Sequence, residues 1–174
     1  IAIAEEIAGS TESFVILMNK RARELGAYNT NFMNPNGLHN PNHVTTARDM
    51  ALISMAAMKN PEFRKVAAAK SWVADRGDGK YNYFFNKNKV IYQYEGGTGI
   101  KIGFTKAAGR TLVASSERNG MALICVVMNA PNWFQDTYKL MDYAYGQYEA
   151  VKVATGQQPL KVVKIHGGSR NFVR

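Results

Sequence analysis

Apolar side chains return every three or four positions between Phe14 and Leu25, at Phe14, Leu17, Met18, Ala22 and Leu25, with the Arg21 stem on the same stripe. That spacing predicts an amphipathic helix. Ser10 is placed to cap its start and Gly26 to stop its end. Residues 1–8 read as the tail of an earlier helix that stops near Gly9. From Met50 to Met58 the chain is apolar almost all round, which predicts a buried core helix. Thr46-Ala47-Arg48-Asp49 ahead of it resembles a capping box with Asp in the Glu position. Asn60-Pro61-Glu62 caps and starts a short third helix.

The period changes after Ser71. Residues 71–94 are β-like and aromatic, with Trp72, Tyr81, Tyr83, Phe84, Phe85, Tyr92 and Tyr94, and are broken at Gly77-Asp78-Gly79. Three strands are predicted at about 98–104, 111–117 and 121–128, and Asn119-Gly120 between the last two is a hairpin turn. Asn132 is expected to cap a last helix with Trp133, Phe134, Thr137, Leu140, Met141, Ala144 and Tyr145 on one face. Beyond Gly146, Val151, Val153, Val162, Val163 and Ile165 interleave with basic residues and read as a separate β element. Helices, then a hairpin-rich sheet, then a helix make an α+β chain with an antiparallel sheet.

Composition adds bounds. At 174 residues and 46% apolar, the chain has the material of one large domain, or of one and a fragment. No run of about eighteen apolar residues is present to span a membrane. The chain opens on Ile1 and lacks a signal-peptide pattern, so its beginning is expected to lie elsewhere. Cys125, the single cysteine, lies in an apolar strand and is expected to be an inert thiol. The net charge of +9 admits an anionic wall polymer, an anionic membrane or nucleic acid as partner. The cations are scattered, and no basic helix or aromatic-interleaved motif appears, so nucleic acid is not the partner read here.

Two segments have the residues for chemistry. Asn29 to His43 is dense in Asn, Pro and Gly, which is turn chemistry. His39 and His43 are four apart, but Pro41 between them argues against a helical metal pair, and no metal is expected. The second segment is Gly99-Ile100-Lys101-Ile102-Gly103-Phe104-Thr105. A lysine in an apolar strand, with glycine two residues on, can present an ammonium to a cleft and let a ligand lie against the backbone.

Several segments together resemble one family, the serine-type D-alanyl-D-alanine carboxypeptidases, or low-molecular-mass penicillin-binding proteins. They are Ile3 to Ser10, Phe14 to Gly26, Asn34-Pro35-Asn36-Gly37-Leu38 with His43-Val44-Thr45-Thr46-Ala47, and Lys59-Asn60-Pro61-Glu62-Phe63. Gly99 to Thr105, Ala108-Gly109-Arg110, Leu112-Val113-Ala114-Ser115 and Met141-Asp142-Tyr143 complete the set. The resemblance covers about residues 1–150 in order. It implies that 1–150 is the C-terminal portion of a β-lactamase-like transpeptidase domain, and that 151–174 is a linker and the start of a small β domain.

The family's chemistry needs a nucleophilic Ser with a Lys one helical turn later, a Ser-x-Asn element and a Lys-Thr-Gly strand. No Ser-x-x-Lys occurs in this chain, and Ser169-Arg170-Asn171, its only Ser-x-Asn, lies in the tail on the wrong side of the strand. The resemblance therefore implies a missing N-terminal segment of the same domain, carrying the nucleophile. Lys101 and Gly103 match the strand motif. Ile102 stands where the family has Thr, and so lacks the hydroxyl expected to bond the substrate's terminal carboxylate or the adjoining peptide group. The resemblance assigns substrate contact to Lys101, Ile102, Gly103 and Thr105, and an oxyanion-stabilising backbone N–H to Phe104. It implies a peptidoglycan stem peptide as substrate, hydrolysed at D-Ala-D-Ala through an acyl-serine, with β-lactam antibiotics as ligands, no cofactor, and a place outside the cytoplasmic membrane. The alternatives are a non-catalytic wall-binding or scaffold protein of the same fold and a β-lactamase. The 34–47 loop and the β tail favour the carboxypeptidase.

Overall fold

The structure, a computed structural model, describes residues 9–153 together with the short strands Val163–Lys164 and Phe172–Val173. The expected helix tail at 1–8 and Ser169-Arg170-Asn171 lie outside the described residues. Helix α1 (Thr11–Glu24) begins where expected. The Ser10 side chain accepts the Ser13 N–H at 3.0 Å. It ends in a Schellman motif, with Gly26 at φ +82° and the Ala27 N–H donating back to the Ala22 carbonyl at 2.9 Å. Its apolar stripe lines an open groove of about 340 Å³ with Phe32 and Ile53, and only Ala22 is fully buried.

Helix α2 (Ala47–Ala57) forms half of the expected capping box. Thr46 accepts the Asp49 N–H at 3.1 Å. The Asp49 carboxylate instead turns to the preceding loop and accepts from the Asn29 N–H at 2.7 Å and the Thr30 hydroxyl at 2.9 Å. Asp49 is thereby fully buried and ties α2 to the segment after α1. The expectation of a core helix is corrected: among the residues of α2 only Asp49 and Ser54 are buried, and Met55 is 54% exposed. The helix lies against β5 and, less closely, β4. Helix α3 (Pro61–Ala68) starts under the Asn60 side chain, which accepts the N–H groups of Glu62 and Phe63.

Strands β1 (Ser71–Asp75) and β2 (Tyr81–Phe85) pair as an antiparallel hairpin around Gly77-Asp78-Gly79. The β reading of 71–94 fails beyond it. Val90–Gln93 is a single helical turn, α4, because the Asn88 side chain accepts the Val90 N–H and starts a turn that buries Val90 and Ile91.

The main sheet has the order β3-β4-β5, all antiparallel: β3 (Gly97–Thr105), β4 (Gly109–Arg118) and β5 (Met121–Val127). Asn119 and Gly120 both take positive φ, +50° and +77°, and join β4 to β5 in the tight hairpin that their identities predict. Helix α5 (Trp133–Gln147) covers one face. Val90, Tyr94, Leu112, Ala114, Val127, Phe134 and Met141 are buried there together, and Ile102 and Cys125 pack against them. Asn132 precedes α5, but its side chain makes no capping bond, so that expectation is also corrected. Val113 and Ser115, on the other face of β4, are buried as well. There α3 lies against β3, with Ala67 directly over Gly99. Strands β6 (Val163–Lys164) and β7 (Phe172–Val173) pair antiparallel in the tail.

Arg118 joins these parts at one end of the sheet. Its guanidinium lies between the rings of Tyr94 and Tyr145, 4.4 and 4.7 Å from their centroids, and its Nε donates to the Glu95 carbonyl at 3.0 Å.

Candidate active site

Strand β3 is an edge strand of its sheet, and its sequence decides what that edge presents. Lys101 pairs with Val113, Ile102 with Leu112, Gly103 with Thr111, Phe104 with Arg110 and Thr105 with Gly109. Side chains alternate across a strand. Ile102 packs with Leu112 against the α5 cluster, so Lys101, Gly103 and Thr105 belong to the opposite face.

The direction of the backbone groups follows from one bond. The Arg110 carbonyl accepts the Ala130 N–H at 3.0 Å, on the β5 side. In an antiparallel strand the N–H and C=O of a residue point the same way. Arg110 therefore points away from β3, and its partner Phe104 sends its own N–H and C=O out from the open edge. By the same alternation Ile102 also faces outward. The Lys101 ammonium confirms that direction, since it curls over the edge and donates to the Ile102 carbonyl at 2.5 Å. The edge thus offers the N–H groups of Ile102 and Phe104 beside an exposed ammonium. Lys101, Lys106 and Arg110 are the charged residues between Gly97 and Ser116, with no carboxylate among them, so this end of the sheet attracts anions.

Each expected site residue can now be placed. Lys101 is exposed at the edge. Gly103 packs under Thr111, whose hydroxyl donates to the Gly103 carbonyl at 3.2 Å. The Thr105 hydroxyl accepts the Ala108 N–H at 3.0 Å and so also closes the turn into β4. Ile102 is half-buried, and its side chain serves the core first; what it brings to the edge is backbone. Thr111 was missed by the sequence reading. Its signal was the register, since Gly109 opens β4 opposite Thr105 and brings Thr111 opposite Gly103.

Other candidate groups lie away from this edge. His43 accepts the Met33 N–H through Nδ1 at 3.4 Å and meets the Phe32 ring edge-on, and burial lowers its pKa. His39 is exposed on the same loop. Among the described residues no cluster of His, Cys, Asp and Glu could hold a metal ion. Burial pushes the Cys125 thiol up, with a smaller opposing effect from the Thr137 hydroxyl beside it, which is the state of an unreactive thiol.

The family model for D-alanyl-D-alanine carboxypeptidases matches residues 1–132. The chain belongs to the D-alanyl-D-alanine carboxypeptidase family. The carboxypeptidase DacF of Bacillus subtilis is 34% identical over 177 residues, covering 99% of this chain and 45% of that protein. The DacA carboxypeptidase of Haemophilus influenzae is 32% identical, covering 100% of this chain and 44% of its own length. This family member therefore spans a little under half the length of these relatives. The D-alanyl-D-alanine carboxypeptidase of Mycobacterium tuberculosis superposes with a TM-score of 0.75 at 29% identity, over 82% of this chain and 56% of that one. The Streptomyces K15 DD-transpeptidase superposes with a TM-score of 0.73 at 31% identity, over 78% and 55%. The α+β fold with its antiparallel sheet is thus the fold of the DD-peptidases.

Proposed function

We propose that this chain supplies the strand side of a serine D-alanyl-D-alanine carboxypeptidase site, and that the nucleophile lies in the part of its relatives' length that it does not span. The observation that carries this reading is the open edge of β3. A peptide chain can add to that edge as another strand, held by the outward N–H and C=O groups of Ile102 and Phe104. Gly103, with no side chain, lets the peptide lie close. The Lys101 ammonium exchanges its bond to the Ile102 carbonyl for the peptide's terminal carboxylate. The Phe104 N–H then donates to the carbonyl oxygen of the scissile bond as negative charge develops there. A serine hydroxyl, deprotonated by a neighbouring lysine amine, attacks that carbonyl, the terminal D-Ala leaves, and water hydrolyses the acyl-serine. The substrate is the stem peptide of peptidoglycan, β-lactams react at the same site, and the enzyme works outside the cytoplasmic membrane. Residues 151–174 are the linker and the start of a following β domain, to which the β6–β7 pair belongs.

One feature favours the second reading, a non-catalytic wall-binding protein: Ile102 has no hydroxyl to donate where the resemblance expects one. Fluorescent penicillin separates the two. The 174-residue chain alone should not be labelled. The chain joined to its upstream coding sequence should be labelled, and Lys101→Gln should reduce the rate. Absence of any label in the extended protein, or labelling of the short chain, would sink the carboxypeptidase proposal.

A further inference from the structure

The hairpin β1–β2 is unusual in what it leaves uncovered. Trp72, Tyr81, Tyr83, Phe84 and Phe85 are each more than half exposed, and within the two strands only Ala74 is even half-buried. Cross-strand partners share a face. Trp72 opposes Phe84 on one face, while Phe85, Tyr83 and Tyr81 lie on the other with Val73. Aromatic surface is therefore exposed on both sides of a two-stranded ribbon. The ribbon has a fixed base: Asn86 Nδ2 donates to the Ala67 and Ala69 carbonyls, and the Tyr92 hydroxyl donates to the Lys70 carbonyl. Its ends carry cations, with Lys70 and Lys87 at the base and Arg76 and Lys80 at the tip. The two carboxylates between them are engaged locally, Asp75 by the Gly77 N–H and Asp78 by Lys80.

We propose that this hairpin is an interfacial membrane-binding element that takes anionic lipid headgroups. A flat partner covers one face of a ribbon, whereas the headgroup layer surrounds both. Tyr and Trp favour that layer because each has an apolar ring and a polar tip. Of the four cations at the ends Lys80 is paired with Asp78, and residues 70–87 keep a net charge of +2, which suits a surface of lipid phosphates. No helix among the described residues is long and apolar enough to cross a membrane. The inference does not depend on the Lys101 edge, and its failure leaves the carboxypeptidase reading untouched.

The test is co-sedimentation of the 174-residue chain with vesicles of phosphatidylcholine alone, and of phosphatidylcholine mixed equally with phosphatidylglycerol. The chain should bind the mixed vesicles and not the neutral ones, with a blue shift of tryptophan emission. Lys70→Gln with Lys87→Gln should weaken binding about thirtyfold. Trp72→Ser with Phe84→Ser, and separately Tyr83→Ser with Phe85→Ser, should each weaken it severalfold while leaving the far-UV circular dichroism of the chain unchanged. Binding that depends on one face only would overturn the proposal in favour of a flat partner, a glycan strand or a protein. So would equal binding to neutral vesicles, binding unchanged by both aromatic pairs, or no binding.

Discussion

Thr111 donates its hydroxyl to the carbonyl of Gly103 at 3.2 Å, and a Cβ on Gly103 would stand 2.8 Å from the Thr111 hydroxyl oxygen. The glycine of the edge strand is thus required by its neighbour in β4 as well as by any ligand. Gly103→Ala is expected to cost about 1–3 kcal/mol of stability through overpacking. Thr111→Ala, which removes the opposing atom, should restore much of it. A double-mutant cycle by urea denaturation reads the coupling, and strictly additive effects would show that the hydroxyl is not the obstacle.

Ile102 carries two demands that pull apart. Its side chain packs against the Leu112 cluster, while the proposed carboxypeptidase site calls for a hydroxyl donor at this position. Ile102→Thr should destabilise the fold by about 1–2 kcal/mol through lost apolar burial. In the protein extended to include the nucleophile, the same change should raise the penicillin acylation rate about tenfold, the worth of one added hydrogen bond to a charged partner. A rate that does not rise would place substrate carboxylate recognition on Lys101 alone.

Arg118 closes the end of the sheet through two rings and a carbonyl. Arg118→Lys keeps the charge but loses the planar stack and the Nε donor, and should cost about 1–2 kcal/mol. For a chain of this size that is a fall in Tm of about 2–8 °C. A melting curve superimposable on the parent's would mean that the ammonium replaces the guanidinium in full.

His43 gives a pH dependence whose sign is fixed by its surroundings. Desolvation lowers its pKa from the ordinary 6.5, so the unfolded chain binds the proton more readily than the folded one. The stability from neutral His43 is complete above pH 6.5 and is lost as pH falls through the lower folded value. The protection of the Met33 amide, which donates to His43, against hydrogen exchange, taken relative to its intrinsic rate at each pH, should fall over that range. His43→Gln should remove the dependence, and a pH-independent protection of the Met33 amide in the parent would refute the assignment.

Local chemistry was legible wherever a residue's own backbone preference sets the outcome. Ser10, Thr46 and Asn60 cap as their identities require, Gly26 ends α1, and Asn119-Gly120 turns β4 into β5. These are interactions over two to four residues, and their geometry is contained in the sequence. Asn132 is the exception, because an Asn before a helix need not turn its side chain to it.

What the chain could not state for itself was which surfaces meet. The apolar stretch of α2 reads as a core helix, yet among its residues only Asp49 and Ser54 are buried. The aromatic run at 71–85 reads as sheet, but among the described residues its strands pair only with each other and leave both faces open. The residues of the Lys101 strand, and their family, were readable in one dimension. That Ile102 turns to the core while the Phe104 N–H turns outward depends on the pairing of Phe104 with Arg110, and on a bond from Ala130 that lies 26 residues further on. Periodicity determines which side chains share a face, whereas only long-range pairing determines which edge is left open.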